Sequence, residues 1–318
     1  MPTPPGAEAS VDPAELLKLA FQISIILTVF VFGLGATVED VLYLVRRPRM
    51  LVISLVSMFV VMPFVALVLV FVFDPPQVAK VALVALALSP VPPVFPAKVR
   101  GAGGRDSYGL GLMAVVSILS IVLVPALVEF LGSLMGRPFQ TGPAAVAGLV
   151  LVLVVLPLAA GMLARAFLPR VAGRVQKPFA TVGKIVLTAA FLVLLVVVFP
   201  HLLAALTVGT VAAIVAFTVL GLAFGHTLAG PDPDDSAVLA LSSALRHPGI
   251  ALVIASGNFP TLDFGAVILL YLLIGGILTG PYTKRMHQRA AARQAAVPRG
   301  PSGGVNKSGQ SKASDQDT

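Results

Sequence analysis

Ser89-Pro90-Val91-Pro92-Pro93-Val94-Phe95-Pro96-Ala97-Lys98 and Ser242-Ser243-Ala244-Leu245-Arg246-His247-Pro248-Gly249 decide the reading of this chain. Each interrupts a hydrophobic run near its middle. Proline lacks a backbone donor and clashes with the preceding turn, so neither run continues as one straight helix. In a bilayer, backbone groups freed in this way must be satisfied by protein or by a water-filled cavity. Two broken spans at matching places in two halves of a membrane chain point to a transport site near the midplane. Arg246 lies in the second break, and an intramembrane arginine is a functional-site signal.

Composition sets the class around these stretches. Of 318 residues, 57% are hydrophobic and only 11% are charged, far from the balance of a soluble domain. Apolar runs of about 20 residues, long enough to cross a bilayer, recur along the chain. The expectation is an all-α polytopic membrane protein with about nine transmembrane helices. They begin and end near residues 16–38, 50–73, 77–99, 108–131, 144–167, 179–199, 202–228, 236–258 and 264–282.

The net charge of +8 is no nucleic-acid signal, because the basic residues sit mainly in connecting loops and the tail. There is no cysteine, which excludes disulfides, thiolate metal sites and thiol redox chemistry. No His-Glu-x-x-His or Gly-x-Ser-x-Gly motif appears, so nothing points to an enzyme, a metal centre or a cofactor. The surroundings are membrane lipid, and oligomeric state leaves no trace in the sequence.

Basic loops follow the first, third and fifth spans: Arg46-Arg47-Pro48-Arg49, Arg100 to Arg105, and Arg165 to Lys177. With the basic tail, they place the C-terminus in the cytoplasm and the N-terminus outside a cell membrane. Pro231 to Asp235 is the discordant loop, acidic yet on the same side. Residues 1–15 read as a disordered lead and 291–318 as a disordered tail. Between them, 16–131 forms a first repeat of four helices and 144–283 a second of five. Under this topology the broken spans run in opposite directions, as in an inverted repeat with one outer helix missing from the first half.

Gly33-Leu34-Gly35-Ala36-Thr37-Val38-Glu39-Asp40, then Arg46-Arg47-Pro48, resembles the opening of the bile acid:sodium symporter family. Ala87-Leu88-Ser89-Pro90-Val91-Pro92-Pro93 and Ala244 to Gly249 fall where that family has its two unwound crossings. The resemblance spans roughly residues 21–282. It implies a panel domain and a core domain, two crossing discontinuous helices, and a cleft that carries organic anions such as bile acids or smaller carboxylates.

The resemblance also implies sodium ligands, and here the chain departs. The positions that match family ligands hold Ala97, Lys98, Gly111, Val115, Ser242 and Arg246, with His247 and Pro248 after them. Sodium, a hard cation, requires oxygen donors. The expectation is a sodium-independent transporter in which Lys98 and Arg246 stand where sodium would bind. Ser89, Pro92, Pro93, Lys98, Ser242, Ser243, Arg246 and His247 are the candidate substrate-binding or crossover residues. Two alternatives stay open: a membrane sensor or scaffold that keeps the fold without transport, and proton coupling through His247.

Overall fold

The computed structural model describes residues 13–134 and 143–296, all of their regular structure helical. Helix α1 (Pro13–Gly35) ends at a corner. After an 88° bend, α2 (Val38–Val45) starts with Thr37 as its N-cap. The Thr37 hydroxyl accepts from the Asp40 amide at 3.2 Å, and the Asp40 carboxylate accepts from the Thr37 amide at 2.9 Å. This reciprocal box satisfies two of the helix's free amides.

Helices α3 (Pro48–Val56) and α4 (Met62–Phe73) form one span joined by a π turn at Ser57–Val61. Asp74 then takes a left-handed conformation, φ 39°, in the tight Asp74-Pro75-Pro76 turn. The first interrupted unit is α5 (Gln77–Leu88) and α6 (Phe95–Gly101), followed by α7 (Asp106–Leu134).

Beyond the undescribed stretch, α8 (Pro143–Val150) passes through a second π turn, Leu151–Val155, into α9 (Leu156–Phe167). Then come α10 (Pro169–Ala205), α11 (Val208–Leu228), α12 (Pro233–Ala244), α13 (Pro248–Asn258) and α14 (Gly265–Ala296). α12 and α13 make the second interrupted unit. Proline at the first or second helical position opens α3, α6, α10, α12 and α13, where its missing amide would have been unpaired anyway.

Each of the nine apolar segments is thus helical, but they differ in length. Six helices among the described residues are long and apolar enough to cross a membrane, or seven with the bent α1–α2 pair counted as one. Gln77–Leu88 and Leu151–Phe167 are shorter apolar helices.

Three boundaries differ from the sequence reading. Arg170 to Lys177, read as loop, is the first part of α10, because Pro169 starts the helix there. Pro200 does not end that helix, which runs on to Ala205 and turns at Leu206–Thr207. Helix α14 reaches Ala296, so residues 291–296 are helical and not disordered. Most of the N-terminal lead and the remainder of the tail lie outside the described residues, as does part of the connector between the halves.

The helices sort into two groups. In the first, α1 packs on α9 and α10. The contact is glycine to glycine: a Cβ on Gly33 would lie 2.4 Å from the Leu158 oxygen, and one on Gly161 would lie 2.3 Å from the Phe30 oxygen. In the second, α11 packs on α12 and α4, α13 on α5, and α14 on α12. Gly221 and Gly225 bring α11 against the α12 backbone. Such small-residue seams let membrane helices approach closely where apolar burial against lipid gives no net drive. A cleft lies between α1 and α10 on one side and the two breaks and α14 on the other.

The loop before α7, the loop before α12 and the end of α14 meet. Arg105 donates to Asp232 at 2.6 Å and to Asp235 at 2.7 Å, and its amide donates to the Asp234 oxygen. Arg293 of α14 pairs with Asp234 at 2.6 Å. The acidic loop that looked discordant is therefore neutralised by the basic loop and the C-terminal extension beside it.

Candidate functional site

The first break, Ser89 to Val94, contains three prolines and so offers few amides to its own carbonyls. The second, Leu245 to His247, is shorter but equally unwound. The structure brings the two together. The His247 amide donates to the Pro90 oxygen at 2.8 Å and lies 3.0 Å from the Ser89 hydroxyl oxygen. Because α5 packs on α13 and α6 on α12, the two interrupted units run in opposite directions past this junction.

Arg246 is 1% exposed and is the largest of the fully buried side chains. Its Nη1 donates to the Ser89 oxygen at 3.2 Å and its Nη2 to the Met58 oxygen at 3.0 Å. Among the described residues, no carboxylate pairs with it. The Met58 oxygen is free for a local reason. It sits in the first π turn, and the residue five positions on is Pro63, which has no amide hydrogen. π turns recur at functional sites because they release such groups.

Tyr271 of α14 completes the junction. Its hydroxyl accepts from the Arg246 amide at 2.8 Å and donates to the Ala244 oxygen at 2.8 Å. The broken backbone is thus satisfied by side chains, which is how a membrane interior tolerates unwinding. Ser243 and Ser57 share a hydrogen bond of 2.7 Å, tying α12 to the same π turn. The Ser242 hydroxyl turns back to the Leu239 oxygen at 3.0 Å and so caps nothing outside its own helix.

His247 is wholly buried and caps α13, its Nδ1 accepting from the Ile250 amide at 3.3 Å. That bond places the proton of the neutral ring on Nε2. Among the described residues, neither His247 Nε2 nor Arg246 Nε has a partner.

A cavity of about 350 Å³ borders this junction. Ile25 and Thr28 of α1, Leu187 and Phe191 of α10, and Leu272 of α14 form its walls, and Pro92, Pro93, Arg246 and His247 lie along its core side. It is a largely apolar cleft between the two groups of helices, with the almost fully buried Arg246 and His247 among its lining residues. That size and lining suit a small organic ligand.

Of the candidate residues, Ser89, Pro92, Pro93, Ser243, Arg246 and His247 meet at the junction or the cleft. Lys98 does not. It is half-buried in the last turn of α6, beside Arg100, and makes none of the contacts that join the breaks. Sequence reasoning missed Met58 and Tyr271. Pro63 was the available signal for the first, and a tyrosine inside an otherwise apolar helix was the signal for the second.

The positions expected to match sodium ligands have other surroundings in the structure. Gly111 is pressed on the Asp40 oxygen, Val115 is buried, and Ser242 is spent within its helix. Among the described residues, no group of three or more His, Asp or Glu side chains is placed to hold a metal ion. The junction between the breaks is spanned by a guanidinium.

The profile of the Sodium Bile acid symporter family matches residues 22–219. The chain belongs to that family and is a multi-pass membrane transporter of the bile acid symporter type; members of the family are transporters and not enzymes. The match includes the first break and the Met58 turn and ends within α11, before the second break. No curated protein matches the chain significantly.

Proposed function

We propose that the protein carries an organic anion, bile-acid-like or a small carboxylate, across the cell membrane by alternating access and without sodium. The observation that carries this reading is the Arg246 guanidinium, held between the two breaks by the Ser89 and Met58 oxygens. A bound sodium ion would supply a positive charge and draw backbone oxygens together. Arg246 does both with a covalently attached cation. Lys98, which lies apart, has no part in this substitution.

The cleft supports the anion assignment. Its lining is mostly apolar and includes the buried Arg246. A ligand with an apolar body and an acidic head matches that distribution. The half-helix α13 adds its N-terminal dipole, which favours negative charge.

The membrane arrangement belongs to the same proposal. Nine spans, built as repeats over 16–131 and 144–283, place the N-terminus outside and the C-terminus in the cytoplasm. The meeting of the Arg105 loop and the basic α14 extension at the acidic loop supports placing these three on one side. Counterflow of labelled acids in proteoliposomes tests the function. Accumulation of a bile acid or a small carboxylate, equal in sodium and choline media, is expected. No counterflow with any acid would favour a non-transporting scaffold.

A further inference from the structure

Helix α10 is 37 residues long, or about 55 Å at 1.5 Å per residue. A hydrocarbon core is only about 30 Å thick, so one part of α10 must run through the headgroup region. Its first turns carry Arg170, Arg174 and Lys177, all exposed. The i, i+4, i+7 spacing puts the three on one face of the helix. Like charges so spaced repel and weaken an isolated helix.

Among the described residues, no acidic side chain pairs with them: the ion pairs are those of Lys80, Arg100, Arg105 and Arg293, and none involves this stripe. The opposite face is occupied by protein: Ala172 is buried, and Gln176 packs against Gly35 at the α1 corner. The cations therefore point outward. Apolar side chains surround them, with Phe167 78% and Val171 51% exposed. A neighbouring cation, Arg165, is already committed to the Leu34 oxygen at 3.0 Å.

We propose that this stripe on α10 seats the phosphates of anionic phospholipid headgroups, with Phe167 and Val171 reaching into the acyl boundary. Anionic lipid offers both what the cations lack and what the exposed apolar side chains require. An acidic protein segment would answer only the charge.

The test uses full-length protein in nanodiscs of phosphatidylcholine, with or without added phosphatidylglycerol. Phosphatidylglycerol is expected to raise the melting temperature, and native mass spectrometry should find it retained. The Arg170→Gln, Arg174→Gln, Lys177→Gln triple variant should keep the wild-type melting temperature in phosphatidylcholine and lose the rise. A control, Arg46→Gln, Arg47→Gln, Arg49→Gln, should keep the rise. Arg174→Gln alone, expected to show a reduced rise, serves if the triple variant does not fold. A rise that survives in the stripe variants, disappears equally in the control, or is reproduced by inorganic phosphate in phosphatidylcholine discs would overturn the proposal.

Discussion

The Nη2 of Arg246 donates to the main-chain oxygen of Met58 at 3.0 Å, across a separation of 188 positions. That contact links the second break to a π turn in a different span. With Ser89 on the other branch of the guanidinium, one side chain ties three elements together. Removing it leaves two buried carbonyls without donors. Hydrogen bonds to charged groups contribute about 1.5–3 kcal/mol each. Arg246→Gln is therefore expected to destabilise the protein by about 3 kcal/mol. Arg246→Lys should be less harmful but not neutral, because an ammonium cannot reproduce the planar fork. Thermal unfolding in detergent checks both, and a wild-type melting temperature for Arg246→Gln would contradict the assignment.

Tyr271 is predicted to matter through its hydroxyl alone. The oxygen serves the Arg246 amide and the Ala244 oxygen in a fully buried setting. Tyr271→Phe keeps the ring, including its edge-on contact with Phe217 at 6.3 Å. The loss should be about 2 kcal/mol, set by two backbone groups left unsatisfied. Tyr282→Phe, at a half-buried position near the end of the span, should lose less in the same assay.

Two glycines give opposite expectations. A Cβ on Gly225 would lie 2.4 Å from the Leu239 oxygen and 2.5 Å from the Ala240 Cα, both backbone. Gly225→Ala must push α11 away from α12 and should destabilise by about 1–3 kcal/mol. Gly275 has nothing within 4 Å of such a Cβ and lines the cleft. Gly275→Ala should keep or slightly raise stability, since alanine favours helix by up to about 1 kcal/mol. Its effect should appear instead as weaker uptake of bulky acids.

The clasp formed by Arg105 with Asp232 and Asp235 is part-exposed, so its contribution is modest, about 1 kcal/mol for the network. The hydrogen bond that Arg105 donates to Asp235 is the main cause that raises the Arg105 pKa above its ordinary value, partly offset by burial. A raised pKa means the contribution is complete below the usual arginine range and is lost only above it. Mild alkali should leave the clasp intact. Arg105→Gln should lower the melting temperature at every such pH, and the difference should shrink in high salt.

Much of this was legible from proline and charge. Pro90, Pro92, Pro93 and Pro248 announced both breaks, and the rarity of intramembrane charge singled out Arg246. The meeting of the breaks followed from the topology of the loops. The partners of Arg246 were harder to see, because a carbonyl leaves no mark in side-chain chemistry. Met58 O becomes available only through Pro63 and the π turn it accompanies. Lys98 misled for the opposite reason: its place in the sequence pattern looked right, but it sits in the last turn of α6, apart from the contacts that join the breaks. The basic stretch from Arg170 to Lys177 read as loop because charge density outweighed Pro169, which is a helix start.

If the Arg246 guanidinium takes the place of a bound sodium ion, as proposed, sodium itself should not stabilise the fold. Thermal unfolding of the purified protein across a sodium titration, at constant ionic strength with choline, tests it most directly. A ligand that binds only the folded state raises stability by mass action. The account predicts one melting temperature throughout. A saturable rise with sodium that is absent with choline would contradict it.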